Sequence, residues 1–371
     1  MKNSVKIVID DKIPFIRGLL EPFARVCYLP PVQITRQAVS DADALIVRTR
    51  TRCDERLLDG SSVRFIGTAT IGTDHVDIPY CEACGIVWKN APGCNAVSVA
   101  QYVSSVVASL ALRDGFEVTD RCIGIVGVGH VGTQVERMCR ALGMRVLLND
   151  PPREVNEGRE GFVSLEQIAQ ECDIISLHTP LTHEGSWPTF HLAGEAFFAG
   201  VKKRPVVVNT ARGEVLDTRS LLKALSDNRV SDAVIDCWEG EPRIDARLLE
   251  RAYVATPHIA GYSADGKANA TRTMLREIAR FFGWELSPAV AVPEPENPVV
   301  DLSGLSGFRV GRALLATYDP MTDCRRLKAS PADFETLRGN YGLRREAAAY
   351  AVQGYTDNEK PVLEKLGFRL G

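Results

Sequence analysis

The segment Gly127-Val128-Gly129-His130-Val131-Gly132 constrains the fold of this chain more than any other stretch. It follows an apolar run at 121–126 that predicts a strand, and it precedes apolar residues at helical spacing over 131–142. A further predicted strand, 144–149, ends at Asp150, about 20 residues beyond the turn. A βαβ unit that binds a dinucleotide has this order of features: a strand, a glycine-rich turn, a helix, and a second strand that ends in an acidic residue.

Each glycine of the turn has a separate physical role. Gly127 permits the tight turn, Gly129 lets the backbone approach a pyrophosphate, and Gly132 allows the helix to pack closely on the strand. The backbone of His130 and Val131 opens the helix, whose N-terminus favours phosphate charge. These five residues are therefore expected to contact the cofactor.

The acidic residue at the end of the second strand selects between cofactors. Asp150 is placed to accept hydrogen bonds from the adenosine ribose hydroxyls, where it would repel a 2′-phosphate. NAD is therefore expected as the cofactor rather than NADP. Arg153 favours the opposite choice, because an arginine can accommodate that phosphate, although Pro151 and Pro152 could direct it elsewhere.

Short β-branched runs alternate with helical periods along the rest of the chain. A long helix with one buried face is predicted from Val99 onwards, and it carries the chain into a second α/β domain. Strands that alternate with helices predict parallel, doubly wound sheets. The remaining predicted strands lie at 5–9, 44–47, 64–67, 85–88, 173–177, 205–209, 233–236 and 253–255.

A proline-rich stretch separates a third, smaller unit from these domains. Four prolines between 288 and 298 cannot continue a helix or an inner strand, so a stiff linker is expected there. We predict units at 1–97 plus 262–287, at 98–261 and at 288–371. The roles of a substrate-binding lid domain for the first unit and a NAD-binding domain for the second are what the family resemblance described below implies. A unit as small as the last one would gain stability by packing against a partner chain.

Composition excludes several classes of function. Of the 371 residues, 44 are Lys or Arg and 47 are Asp or Glu, so the net charge of −3 gives no reason to expect nucleic-acid or membrane binding. Ten scattered cysteines and the absence of an apolar leader after Met1 indicate a reducing cytoplasm. Cys81 and Cys84 form the single CxxC and lack a second ligand pair, so no metal is expected. Serines interrupt the most apolar run, 99–112, so no membrane span is expected.

Three polar segments stand at predicted carboxyl ends of strands, where ligands bind in open α/β sheets. In this order, and together with the glycine turn and 178–182, they resemble the D-isomer-specific 2-hydroxyacid dehydrogenase family over most of residues 1–285. That resemblance implies two Rossmann-like domains flanking a cleft, and hydride transfer between a 2-hydroxy acid and NAD. The three segments are Asn209-Thr210-Ala211-Arg212-Gly213, Asp236-Cys237-Trp238-Glu239-Gly240-Glu241-Pro242 and Thr256-Pro257-His258-Ile259-Ala260-Gly261-Tyr262.

The chemistry of that family explains why three residue types occur together. His258 would be the general acid/base, since an unperturbed histidine titrates near neutral pH. Glu241 would bind the other ring nitrogen and favour the imidazolium. Arg212 offers a planar fork for the substrate carboxylate. Taken singly, each has a structural alternative: a surface ion pair for Arg212, an exposed acid in a turn for Glu241 and a satisfied strand-end histidine for His258.

The resemblance also assigns residues around the cofactor and the substrate. Asp236 would bind the nicotinamide carboxamide, with Thr179 and Gly261 lining the NAD site. Thr49, Thr70 and Tyr262 would contact the substrate. We add Arg48 as a hypothesis for an anionic group of the substrate, because an anion in a slightly acidic chain needs a local cation.

A closer resemblance is to a branch of the family that oxidises a phosphorylated four-carbon 2-hydroxy acid. Seven segments between 67 and 262 carry it, and 334–346 resemble the α+β dimerisation domain of that branch, which implies a homodimer. Two alternatives stay open. One is a 3-phosphoglycerate dehydrogenase, and the other is a corepressor-like protein that senses NAD without turning over substrate.

Overall fold

The structure is a computed structural model that describes residues 5–158, 160–287 and 289–371. In these ranges the strands are β1 (Lys6–Asp10), β2 (Arg25–Leu29), β3 (Ala44–Val47), β4 (Phe65–Thr68), β5 (Val87–Lys89), β6 (Cys122–Val126), β7 (Arg145–Asn149), β8 (Ile174–Leu177), β9 (Val206–Asn209), β10 (Asp232–Ile235), β11 (Val254–Ala255), β12 (Val299–Asp301), β13 (Ala351–Gln353) and β14 (Arg369–Leu370).

The helices of the same ranges include two of 19 residues, α4 and α11. They are α1 (Arg36–Val39), α2 (Glu55–Leu58), α3 (Ile78–Ala83), α4 (Ala96–Asp114), α5 (His130–Ala141), α6 (Pro151–Glu157), α7 (Leu165–Glu171), α8 (Glu195–Gly200), α9 (Thr218–Ser226), α10 (Ala246–Arg251), α11 (Ala264–Phe282), α12 (Arg309–Thr317), α13 (Pro320–Ala329), α14 (Phe334–Gly339) and α15 (Lys360–Lys365).

The chain divides into two compact units. The first unit consists of residues 1–95 and 264–293, and the second of residues 96–263 and 294–371. The chain thus passes between the units next to Ala96, next to Ser263 and next to Glu294. Residues 294–371 fall within the second unit. Their independence as a third domain stays a prediction.

The first unit is built on a parallel sheet in the order β2-β1-β3-β4-β5. Neighbouring residues of β1 belong to different apolar clusters: Ile7 and Ile9 to one that contains α11 residues, and Val8 to one that contains Cys81 of α3. Because successive side chains of a strand point to opposite faces, both faces of this sheet are covered.

The second unit contains a parallel sheet in the order β11-β10-β9-β8-β6-β7. From β6 the chain runs outward to β7 on one side and returns to β8 on the other. The strand order therefore reverses beside β6, and the carboxyl end of β6 carries the glycine turn. Such a switch point is where open α/β sheets bind ligands. The parallel sheets confirm the predicted α/β class.

Helix α4 runs through the core of the second unit. Its mean hydropathy of 1.3 and its length would suit a membrane span, but 78% of that stretch is buried inside the fold. Two of the serines that interrupt the apolar run have partners: Ser104 donates to the carbonyl of Ala100, and Ser109 pairs with the Tyr253 hydroxyl. These contacts are those of a core helix.

The C-terminal residues form a small α+β arrangement on the second unit. Their parallel sheet has the order β12-β13-β14, α12 packs on α4, and α13 packs on β11. The apolar residues of this tail, such as Leu314 and Leu327, belong to the same buried cluster as those of α4 and β6.

Candidate active site

The glycine turn has the geometry that a dinucleotide requires. Gly127 has φ +87°, and a Cβ there would lie 2.8 Å from the backbone of His178 and Thr179. A Cβ on Gly132 would lie 2.1 Å from the carbonyl oxygen of Gly127. A Cβ on Gly129, which caps α5, would meet nothing within 4 Å. The first and last glycines are required by packing, whereas the middle one leaves open space at the helix N-terminus, where a phosphate group would fit.

Asp150 lies beside this turn. Its carboxylate accepts hydrogen bonds from the backbone N–H of Val128 (2.7 Å) and of Arg153 (3.1 Å). The guanidinium of Arg153 is engaged elsewhere: it pairs with Glu157 at 2.7 and 2.8 Å and donates to the Val128 carbonyl at 2.6 Å. This pairing balances the charge that could have attracted a 2′-phosphate, and it favours NAD.

An unsatisfied hydroxyl adjoins the turn. The Thr179 Oγ1 atom is buried and has no hydrogen-bond partner within the part of the chain that the structure describes. A buried polar atom normally has a partner. Thr179 follows β8, the neighbour of β6, so its hydroxyl is available to a ligand held by the turn. This orphaned atom, the open end of α5 and the Asp150 carboxylate together fit NAD.

His258 occupies a strained backbone position that Asp236 stabilises. Its φ of +55° lies in the left-handed region, which costs a residue with a Cβ about 1–2 kcal/mol. The carbonyl of Asp236 accepts the His258 N–H at 2.9 Å, and the Asp236 carboxylate accepts the N–H groups of Ile259 (2.7 Å) and Ala260 (3.0 Å). Burial raises the pKa of Asp236, while the charge of His258 and the hydrogen bond from Thr256 oppose that rise. Asp236 therefore fixes the turn, and its contact with nicotinamide stays a prediction.

The His258 ring is paired with Glu241. The distance from Nδ1 to Glu241 Oε1 is 2.6 Å, and Oε2 of the same carboxylate accepts the N–H of Trp238 at 3.1 Å. Burial raises the pKa of Glu241, but the hydrogen bond and charge of His258, the Trp238 N–H and the charge of Arg338 together lower it below its usual value. An ionised carboxylate thus orients the imidazole and directs Nε2 away from Glu241, as a general acid/base requires.

Arg212 lies at the end of β9 in the same unit. Its side chain is exposed, and its Nη1 donates to the carbonyl of Ala211 at 2.8 Å. A Cβ on the next residue, Gly213, would lie 2.1 Å from the carbonyl oxygen of Trp238, so the Arg212 loop is packed directly on the loop that carries Glu241. The guanidinium has donors left for a carboxylate.

Sequence reasoning missed a fourth charged residue at this site. Arg338, in α14, places Nη1 at 3.5 Å from Glu241 Oε1 and Nε at 3.3 Å from the Tyr262 hydroxyl. The signal available in the sequence was weak, because Arg338 stands about 80 residues beyond His258 and follows no strand. Its approach to Glu241 depends on how the tail packs.

The remaining predicted substrate residues lie in the first unit. Arg48 donates from Nε to the buried carboxylate of Asp10 at 3.2 Å, Thr49 is exposed, and Thr70 Oγ1 donates to the carbonyl of Gly72 at 2.9 Å. The Asp10 contact balances the charge of Arg48. A contact between these side chains and a substrate stays a prediction.

Two other histidines have structural partners. His75 bonds to the Thr68 hydroxyl at 2.9 Å. His191 Nε2 lies 2.7 Å from Glu239 Oε1, and with Asp217 these residues group their ligand atoms within 4.8 Å. The carboxylates of that group already accept backbone N–H groups at the start of α9, those of Thr218 and Arg219. They are helix-capping contacts.

The sequence is similar to curated proteins along nearly its whole length. Residues 98–260 match the profile of the D-isomer specific 2-hydroxyacid dehydrogenase NAD binding domain. A protein from Bacteroides thetaiotaomicron named erythronate-4-phosphate dehydrogenase is 52% identical over 354 residues, which cover 94% of this chain and 99% of that one. A protein of the same name from Cronobacter sakazakii is 40% identical over 370 residues, or 98% of each chain.

Solved structures share the fold. The NAD⁺-bound 3-phosphoglycerate dehydrogenase of Entamoeba histolytica is 26% identical, with a TM-score of 0.62 over 78% of this chain and 99% of that one. The D-lactate dehydrogenase of Aquifex aeolicus, complexed with NAD and lactic acid, is 23% identical. Its TM-score is 0.59, and the match covers 75% of this chain and 95% of that one. The predicted NAD cofactor is thereby confirmed. The chain belongs to the D-isomer-specific 2-hydroxyacid dehydrogenase family, within the group of the erythronate-4-phosphate dehydrogenases.

Proposed function

We propose that this protein oxidises 4-phospho-D-erythronate at C2 to (R)-3-hydroxy-2-oxo-4-phosphooxybutanoate, as a step in the biosynthesis of pyridoxal 5′-phosphate. The observation that carries the proposal is the 2.6 Å contact between His258 and Glu241, in the same compact unit as the dinucleotide turn. The choice of substrate rests on the relatives named erythronate-4-phosphate dehydrogenase, which match nearly the full length of this chain.

The protein's own residues divide the reaction between them. NAD, when bound, accepts the hydride that leaves C2. His258 takes the proton of the C2 hydroxyl at Nε2, while Glu241 stabilises the imidazolium that results. Arg212 binds the substrate carboxylate and polarises the C2 oxygen. Asp236 holds the His258 turn in its left-handed conformation, so that the base needs little rearrangement during the reaction.

The family resemblance assigns the remaining substrate contacts to Tyr262, Thr49 and Thr70, and we add Arg48. Tyr262 is held by Arg338 and is a candidate for a substrate hydroxyl or phosphate oxygen. Thr49 and Thr70 offer hydroxyls at the ends of β3 and β4. Arg48 can serve the phosphate only by exchanging or sharing its contact with Asp10. We also propose that the enzyme is a cytoplasmic homodimer in which residues 288–371 supply the dimer contacts.

A substrate panel tests the assignment. NADH formation is measured with NAD and either 4-phosphoerythronate or 3-phosphoglycerate, in the wild type and in His258→Ala. The proposal predicts a kcat/KM for 4-phosphoerythronate at least 100-fold above that for 3-phosphoglycerate, with loss of turnover in the variant. Activity on 3-phosphoglycerate alone would keep the chemistry and overturn the substrate. If NAD binds but neither substrate gives NADH, a corepressor-like protein that senses NAD would be favoured.

A further inference from the structure

We propose that Arg338, from the C-terminal tail, is a positioning residue for the acid/base pair: one guanidinium holds the Glu241 carboxylate and the Tyr262 hydroxyl and sets the charge around His258. The inference rests on the proposed dehydrogenase function. It assigns to the C-terminal tail, which lies outside the matched NAD-binding region 98–260, a part in completing the active site of the same chain.

Arg338 and His258 contact the same oxygen of Glu241. Oε1 lies 2.6 Å from His258 Nδ1 and 3.5 Å from Arg338 Nη1, so this atom serves two cations once the imidazole is protonated. The other nitrogen contact, from Nε to the Tyr262 hydroxyl, is 3.3 Å. Because the guanidinium is planar and rigid, these two contacts fix the distance between the carboxylate and the phenol.

The guanidinium is partly shielded from solvent. Its side chain is 27% exposed, and its second carboxylate neighbour, Glu335, lies at 3.8 Å. A charge in such a position is screened less than a surface pair, so its effect on Glu241 and His258 is larger than a surface arginine would exert.

The tail holds Arg338 in place through several buried contacts. Phe334, at the start of α14, is 1% exposed, and the Tyr341 hydroxyl donates to Asp323 at 2.7 Å. The Tyr341 ring packs edge-on against Tyr262, with the ring centroids 6.2 Å apart. Arg344 donates to the carbonyl of Ala260, two residues after His258, at 2.6 Å. Residues 334–344 therefore brace the His258 turn as well as Glu241.

The charges around the pair give the direction of the effect. Arg338 disfavours a second positive charge on the imidazole, and it also occupies part of the Glu241 carboxylate that would otherwise stabilise that charge. Removing Arg338 should make the ring hold its proton more tightly, and oxidation needs the unprotonated ring. Of the other charged or titratable groups, Asp236 interacts with His258, and Cys237 with Glu241 and Arg212. Tyr262 and Glu335 interact with Arg338 itself.

The test compares Arg338→Gln, Arg338→Lys and the wild type in the pH dependence of kcat/KM for 4-phosphoerythronate oxidation. Arg325→Gln is the matched control, because Arg325 lies in the same tail, is 67% exposed and is 3.9 Å from its acidic partner Asp319. We expect the acidic limb of the kcat/KM profile of Arg338→Gln to lie about half a pH unit or more above that of the wild type. Arg338→Lys, which keeps the charge, should restore most of the wild-type profile, and Arg325→Gln should leave it unchanged.

A KM increase confined to the phosphorylated substrate, with the acidic limb unmoved, would overturn the inference and make Arg338 a phosphate contact. An unchanged profile in Arg338→Gln would also overturn it. The same comparison is made without turnover by following the His258 ring signals by NMR against pH, with His258→Ala assigning one of the six histidines. An upward-shifted ring titration supports the inference even if no hydroxy acid is oxidised, so failure of the proposed function is distinguished from failure of the inference. Should Arg338→Gln not fold, Arg338→Met takes its place in both measurements.

Discussion

At the scale of single residues, the proposed mechanism depends on a carboxylate, Glu241, that stays ionised next to His258. Replacing Glu241 by Gln keeps a hydrogen-bond acceptor but removes the negative charge. The imidazole should then bind its proton less tightly and act as a weaker base, so kcat should fall by about 100-fold or more and the acidic limb should move to lower pH. Steady-state kinetics from pH 5 to 9 measure both. Full activity with an unmoved limb would remove Glu241 from the mechanism.

His178 provides a prediction about stability against pH. Burial lowers its pKa to about 3, and the ring bonds Ser176 at 2.9 Å and Thr210 at 3.2 Å. The folded value lies below the unfolded value near 6.5, so the stabilisation is complete above about pH 6.5 and is lost as the pH falls toward 3. Between pH 7 and 5 the wild type should lose up to about 2 kcal/mol of unfolding free energy that His178→Asn does not lose.

Urea unfolding at the two pH values measures this difference. His183→Asn is the control, because His183 is exposed and its ring packs only against Phe190 among the contacts of the described chain. A wild type and a His178→Asn variant with the same pH slope would show that His178 titrates normally in the folded protein.

Candidate site residues could be chosen from the sequence where chemistry restricts the choice, and their roles stay predictions. Arg212, Glu241 and His258 could be singled out because they follow strands in an order and spacing typical of a family, and the structure brings Glu241 and His258 into contact. Arg338 could not be singled out, since its role depends on tertiary packing across about 80 residues of sequence. The contact between Arg48 and Asp10 was likewise not predictable, because it depends on the sheet order that places β1 beside β3.

At the scale of elements, the geometry of the glycine turn leads us to expect different effects of alanine at two of its glycines: a loss of stability at one and a loss of NAD binding at the other. Gly132→Ala should lower the free energy of unfolding by about 1–3 kcal/mol, because its Cβ would meet the Gly127 carbonyl at 2.1 Å. Gly129→Ala should retain the wild-type Tm, because its Cβ meets nothing within 4 Å, yet it should bind NAD at least 10-fold more weakly by obstructing the pyrophosphate.

Thermal unfolding and NAD titration of both variants separate packing from binding. If Gly129→Ala bound NAD as tightly as the wild type, the dinucleotide would not approach the start of α5 as proposed.

Elements with strong periodicity were predicted well, and short ones were not. The strands β6 to β11 lie within about one residue of their predictions, whereas the short strands β12 to β14 were not predicted. The strand at 25–29 was missed, because Arg25, Cys27 and Tyr28 do not form a β-branched run. The run at 85–88 is shorter in the structure, where β5 begins at Val87.

At the scale of the whole molecule, the tail shares its core with the NAD-binding unit. Because α12 packs on α4 and α13 on β11, deleting residues 294–371 should expose apolar surface on both. The stabilisation lost with this buried apolar surface should exceed the free energy of unfolding, which is typically about 5–15 kcal/mol. We therefore expect the truncated chain to show no cooperative thermal transition. A truncated chain that melts cooperatively and binds NAD would identify the tail as an independent domain.

The central claim is that this chain removes hydride from C2 of a phosphorylated hydroxy acid and uses His258 as the base. The most direct measurement is a single turnover with 4-phosphoerythronate carrying deuterium at C2, followed by mass analysis of the reduced cofactor in the wild type and His258→Ala. The account predicts NADH one mass unit heavier in the wild type and none formed by the variant on the same time scale. Unlabelled NADH from the deuterated substrate, or undiminished labelling in the variant, would contradict it.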